Sequence, residues 1–448
     1  MGIASEAGRA HELERHLGWV ASTSLLVGGV VGSGIFLVPQ EMLANAPSVP
    51  VCLAIWVVAG VLSFLGSLTF AELGTMLPHA GGEYVYLRAA YGNGVGFVYG
   101  WVLFAVIQSG SIAAVATAFG DYAARLFGHP GSTAWAAAAI VATALVNLRT
   151  SRVAVGLQTV VTAAKCLALL GLCSLAFLDP GRDAAALCRS LPDRPITLTA
   201  IGVAVMGALW AYDGWNAVSL VAGEVRDPVK TLPKALIGGL GLVVLLYLFT
   251  FSSYIVCLGP EGIVRSKQVA ADVGGRVLGP VGDRVMSGLI ALSTFGTVLG
   301  MMFTCPRTYY AMAHDKAFFA AAGWIHPTWR TPYLAVFLQA VWALALLTRG
   351  TFNTLLNYVM FASWLFYALT AASLPILRGK LGGPGPFPTP GYPFTPIAFC
   401  SISVVLMVTL VISSPWESLY GVLMIGAGFV LYRCLGCPGA EQAAPDRR

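Results

Sequence analysis

The sequence predicts an all-α integral membrane protein: twelve transmembrane helices, arranged as two five-helix repeats of inverted topology with helices one and six broken, then a final hairpin. Three observations predict it. Hydrophobic residues fill 57% of the 448 positions and charged residues only 10%, against about 25% charged in a soluble domain. Apolar runs long enough to span a bilayer, about 20 residues each, recur along the chain and leave no room for a soluble domain of ordinary size. Two of these runs are interrupted, around Gly32 and around Gly214, 182 positions apart. Interrupted helices at matching places in two halves point to an inverted repeat with a binding site between them.

Runs bounded by charge, proline or glycine place the spans at 17–43, 51–77, 94–127, 133–149, 153–178, 198–224, 233–258, 283–312, 332–348, 353–377, 393–412 and 416–434. The organisation that follows is a tail at 1–16, a first repeat at 17–178, a second at 198–377, a hairpin at 393–434 and a tail at 435–448. An even number of spans puts both tails on one side. With that side cytoplasmic, sixteen basic residues lie inside and nine outside, and Lys165 belongs to neither. The bias favours cytoplasmic termini. No cleavage site for a signal peptide follows the first apolar run, which is expected to stay as the first span.

The net charge of +6 is dispersed among loops, so it reads as topological and excludes a nucleic-acid partner. The nine cysteines are scattered without paired metal-ligand spacing. Cys434 and Cys437 form a CxxC after the last span, without a redox fold around it, and read as juxtamembrane thiols. No metal or cofactor is expected. All six histidines fall in tails or loops, and no HExxH, GxSxG or P-loop is present, so the residues of an enzyme are missing.

Span one contains Leu25 to Phe36, LLVGGVVGSGIF, four of whose twelve residues are glycine. Glycine costs about 1 kcal/mol relative to alanine in a helix interior, so a break there is cheap. Backbone groups freed at mid-membrane need protein or a wet cavity, which makes the break a candidate binding site. The segment 78–94, PHAGGEYVYLRAAYGNG, carries Tyr84, Tyr86, Leu87 and Tyr91 and reads either as a short interfacial helix or as an ordinary connector with aromatic belt residues. Lys165 lies too deep in span five to snorkel comfortably and is expected to face the bundle interior. Span six reads WAYDGWN, which puts Asp213, Gly214 and Asn216 at mid-span. An intramembrane aspartate argues for a cavity, although capping of the broken helix by its own carboxylate is an alternative. Span eight offers Ser293 and a small-residue stripe that could equally serve helix packing. In span ten, Phe361, Trp364, Phe366 and Tyr367 fit either the core or the substrate surface. Residues 379–396, rich in proline and glycine, link to the hairpin.

GSGIF in span one, PHAGGEYVYLRAAYG after span two, Lys165, and WAYDGWN followed by AGEVRDPVKTLPKA together resemble the amino acid permeases of the amino acid–polyamine–organocation superfamily. The resemblance is greatest to the L-type amino acid transporter branch and its bacterial homologues. It implies the LeuT-like 5+5 fold. It also implies that Val31, Gly32, Ser33, Gly34 and Ile35 bind the substrate, with Ser33, Gly34 and Ile35 facing its carboxylate, and that Trp210 closes over the substrate from outside. Ala211, Asp213, Gly214 and Asn216 would shape the amino-group side and side-chain pocket. Lys165 matches the family lysine whose ammonium stands where sodium-coupled relatives hold a sodium ion, near Ser293; Lys165, Trp210, Ser293 and Trp364 are the expected gating and coupling residues.

The resulting expectation is a sodium-independent exchanger of small or medium neutral L-amino acids in the cell membrane, working by alternating access. Proton-coupled symport and acceptance of cationic amino acids remain alternatives, and a non-transporting amino acid sensor is the rival from another class. The eukaryotic light subunits of the family carry a cysteine in the outer loop after span three. Here that loop, ARLFGHPGSTAW, has none, so no disulfide-linked heavy chain is expected.

Overall fold

The computed structural model describes residues 13–128, 131–191, 197–266, 268–348 and 352–435. Most of the predicted N-terminal tail, the C-terminal tail beyond Leu435, and with it Cys437 of the CxxC, lie outside the described residues. The described chain is helical apart from loops and two isolated bridges, Leu17 with Val225 and Ser48 with Ser190.

The helices that place the site are α1 (Trp19–Val30), α2 (Gly34–Asn45), α3 (Val49–Met76), α4 (Glu83–Tyr91), α5 (Asn93–Val102), α6 (Gln108–Phe127), α7 (Ser132–Leu148), α8 (Ser151–Leu178), α9 (Leu198–Tyr212) and α10 (Ala217–Leu220). The chain continues through α11 (Pro228–Arg265), α12 (Val269–Leu278), α13 (Gly282–Thr304), α14 (Pro306–His314), α15 (Tyr333–Leu347), α16 (Phe352–Leu381), α17 (Phe394–Ser413) and α18 (Pro415–Cys434). Among the described residues, eight helical stretches are long and apolar enough to cross a membrane, and four shorter apolar helices coincide with other expected spans. The protein is a multi-pass membrane protein.

Its outer surface shows why. On α8, Val160 and Leu167 are 66% and 69% exposed while Lys165 is 1% exposed; on α17, Val404, Val405 and Val408 are exposed together. Apolar faces turned outward and a charge turned inward suit a lipid solvent, where a buried ionisable group marks the bundle interior. The inward faces of α1, α3, α9, α11 and their neighbours form one large apolar core.

Both expected interruptions are present. Span one stops at Val30 and restarts at Gly34; span six stops at Tyr212, turns through 213–216 and resumes as the single-turn α10. The reason for the glycines in span one differs from the one expected. None of Gly28, Gly29, Gly32 and Gly34 takes a positive φ, and Gly28 and Gly29 lie within α1. Proximity dictates them instead: a Cβ on Gly34 would stand 2.6 Å from Ala211 Cα, so the two broken spans touch where both lose their helix. Gly214, by contrast, needs its freedom, with φ of +97°.

The interfacial reading of 78–94 is also changed. Residues 83–91 form α4, but Tyr84, Tyr86 and Leu87 are buried at 1%, 0% and 0% exposure. Glycines 81 and 82, both at positive φ, turn the chain inward so that this helix packs into the bundle. An unexpected helix, α12, occupies part of the loop between spans seven and eight. Near the N-terminus the amides of His16 and Leu17 both donate to the Glu224 carbonyl at 2.9 Å. Glu224 is itself held by Arg307, Nε to Oε1 2.7 Å, both side chains being fully buried.

Candidate functional site

The breaks meet Lys165. Its ammonium donates to the carbonyl oxygen of Gly28 at 2.7 Å and to that of Val31, with the Ser293 carbonyl at 3.4 Å. The carbonyls of Gly28 and Val31 are freed by the end of α1, since the last carbonyls of a helix have no intrahelical donor. Two hydroxyls from α13 complete the cluster: Thr297 Oγ1 donates to Gly28 O at 3.0 Å and Ser293 Oγ to Val31 O at 2.9 Å. A fixed cation therefore sits against the negative end of α1, where the helix dipole favours it.

A second tie crosses between the breaks. The Tyr247 hydroxyl lies 2.8 Å from Val30 O and 3.0 Å from Ala211 O, joining the last carbonyls of the two interrupted spans. Tyr247 and Thr297 escaped the sequence reading because hydroxyls in apolar helices are common and often only back-bond their own helix.

Two adjoining cavities lie beside this cluster. The first is lined by Gly32, Ser33, Gly34, Trp210, Ala211 and Asp213, with Thr297 and Met301 opposite. The Ser33 hydroxyl is 1% exposed and finds no partner among the described residues. It precedes α2, whose first N–H groups have no intrahelical acceptor and whose dipole favours an anion. The second cavity shares Gly29, Ser111, Asp213 and Met301 with the first and continues past Gly214 and Asn216 to Glu83, Tyr99 and Tyr367. Leu103 and Ile107 on its wall are the ends of a π-type turn that interrupts span three.

The structure thus brings together Gly32, Ser33, Gly34, Trp210, Ala211, Asp213, Gly214 and Asn216 around the two adjoining cavities. Val31 and Ile35 line neither cavity; Val31 acts through its carbonyl on Lys165, and Ile35 is fully buried. Trp364 also stays out of both cavities. It packs edge-on against Tyr367 at 5.8 Å and tilted against Phe399 at 5.9 Å, and Tyr367 in turn donates to Asp213 Oδ1 at 2.7 Å. Glu83 is the acidic residue missed in sequence: fully buried, it accepts from Asn216 Nδ2 at 2.8 Å and from the Tyr99 hydroxyl at 2.9 Å.

Paired broken helices around a polar cavity, with no constellation for chemistry, define the class, and sequence comparison gives the family. The profile of the amino acid permease family matches residues 17–430: the chain belongs to that family and is not an enzyme. Among its relatives is the b(0,+)-type amino acid transporter 1 of Homo sapiens, 34% identical over 443 residues, covering 96% of this chain and 90% of the relative. Another is the large neutral amino acids transporter small subunit 2 of Mus musculus, 33% identical over 393 residues, covering 84% of this chain and 73% of the relative.

Proposed function

We propose that this protein is a sodium-independent amino acid transporter that exchanges small or medium neutral L-amino acids by alternating access. The observation that carries the reading is the junction of the two breaks. Ser33 and the start of α2 offer hydrogen-bond donors to a carboxylate, and the turn at 213–216 closes the other side of the same cavity. A zwitterion fits the donors at one end and the Asp213 carboxylate at the other. Sodium independence is supported by the Lys165 ammonium, which already occupies the carbonyls of Gly28 and Val31.

The architecture proposed with it is twelve transmembrane helices, in repeats at 17–178 and 198–377 related by inverted topology, and a hairpin at 393–434. Both termini are cytoplasmic and the membrane is the cell membrane. The chain works without a disulfide-linked second subunit, a reading supported by the absence of cysteine from the loop between α6 and α7.

Reconstitution tests the coupling. Uptake of a labelled neutral amino acid into proteoliposomes should be stimulated by internal unlabelled amino acid and respond little to a pH gradient. Uptake driven by the pH gradient and indifferent to internal amino acid would replace exchange with proton symport, and binding without flux would make the protein a sensor.

A further inference from the structure

Span three is interrupted at Leu103–Ile107 by a π-type turn, closed by the Gln108 amide on the Leu103 carbonyl. Such turns bulge an α-helix locally and recur at functional sites. This one has two faces. Leu103 and Ile107 stand on the wall of the second cavity beside the breaks, followed by Gln108 and Ser111. Ala105, Val106 and, one turn on, Gly110 line a different cavity of about 280 Å³, which shares no lining residue with those two.

The chemistry of this rear cavity selects its occupant. Trp342 and Leu346 of α15 and Tyr420 and Met424 of α18 complete it, and none of its lining residues carries a charge. The Trp342 indole Nε1 donates to the Ala105 carbonyl at 3.0 Å, and its ring stacks on Phe104 at 6.3 Å. The rear wall is thus tied to the turn itself. Trp342 is 38% exposed and Tyr420 54%, with Val341 and Leu423 exposed beside them, so the cavity opens from the apolar surface that meets the bilayer. Water held in a cavity needs about two to four polar partners, which an apolar cleft does not supply. A helix of a second copy is about 10 Å across and too thick to enter. A flexible hydrocarbon chain enters, and restores the dispersion contacts that an empty cleft forfeits.

We propose that this cavity is a binding site for the acyl chain of a bilayer lipid, and that the chain braces the π turn from behind and so fixes the Leu103 and Ile107 wall that faces the substrate. The site is independent of the transport reading; its effect on flux rests on that reading.

The test uses full-length protein in proteoliposomes containing a phosphatidylcholine with a diazirine in one acyl chain, and adducts are located by mass spectrometry after illumination. Val106, Leu346 and Met424 should be labelled severalfold more heavily than Val404, Val405 and Val408, which are exposed together on α17. Leu346→Trp puts an indole into the cleft and should abolish the excess at 106 and 424. Exchange of a labelled neutral amino acid is then compared in dioleoyl- and diphytanoyl-phosphatidylcholine, the second having methyl-branched chains too bulky for the cleft. Wild-type exchange should be severalfold slower in the branched lipid, and Leu346→Trp should exchange equally in both. Labelling no heavier than on α17 would overturn the site as ordinary contact with the bilayer. Protection of 106 and 424 in a protein that crosslinks as a dimer would overturn it in favour of a second copy over the cleft. Excess labelling with the same lipid ratio of exchange in wild type and Leu346→Trp would keep the site and overturn the bracing. Excess labelling without flux in either lipid would remove the transport reading, and the bracing with it, while the site stands. The wild-type labelling holds whether or not Leu346→Trp folds.

Discussion

Gly34→Ala is the sharpest perturbation of the junction between the two breaks. The added methyl would lie 2.6 Å from Ala211 Cα and 2.7 Å from Ala211 Cβ, whereas carbon atoms in contact prefer about 3.5–4.0 Å. An overlap near 1 Å against backbone cannot be relieved by swinging a flexible side chain. The spans must separate, at a cost of about 1–3 kcal/mol for an overpacked core site. Separation also moves Ser33 and Asp213 apart across the first cavity, so flux falls more than stability does. The assay pairs the thermal midpoint of the purified variant with exchange in proteoliposomes, beside Gly171→Ala as control. Gly171 has nothing within 4 Å of its Cβ position and lies inside α8, so alanine there is neutral or stabilising by up to about 1 kcal/mol. Wild-type midpoint and wild-type flux in Gly34→Ala would refute the claim that the breaks are in functional contact.

Other substitutions probe separate links. Lys165→Ala removes the cation from the carbonyls of Gly28 and Val31 while Thr297 and Ser293 still serve them; the variant should insert in the membrane yet lose most exchange, measured as counterflow. If lysine is carried as well as leucine, Asp213→Asn should lower its uptake relative to leucine uptake, and equal loss of both would favour a helix-capping role. Arg307→Ala strands the buried carboxylate of Glu224, the residue whose backbone carbonyl ties the N-terminal segment to span six. It should destabilise by about 3–5 kcal/mol, seen as a lower thermal midpoint, and Glu224→Gln in the same protein should recover part of the loss.

Much of this fold was legible because a bilayer forces simple patterns on a chain. Apolar length gave the multi-pass character, and Lys165 stood out because a charge amid uncharged residues needs an interior reason. Asp213 stood out likewise. Glu83 did not, since a glutamate in a polar connector is ordinary until glycines 81 and 82 are seen to fold that connector into the bundle. Trp364, expected to act in gating, stands behind Tyr367 rather than on a cavity wall, and hydropathy does not distinguish a cavity wall from the layer behind it. The glycines of span one pointed to the right place through the wrong cause: what matters there is the missing Cβ between two backbones, a tertiary fact no local rule contains.

The central claim is that Lys165 supplies the cation at the span-one break, so that an amino acid crosses without sodium. Counterflow of a labelled neutral amino acid into proteoliposomes, in sodium chloride and in choline chloride, tests it most directly. Equal rates in the two salts are expected. A rate that collapses when sodium is withdrawn would contradict the account.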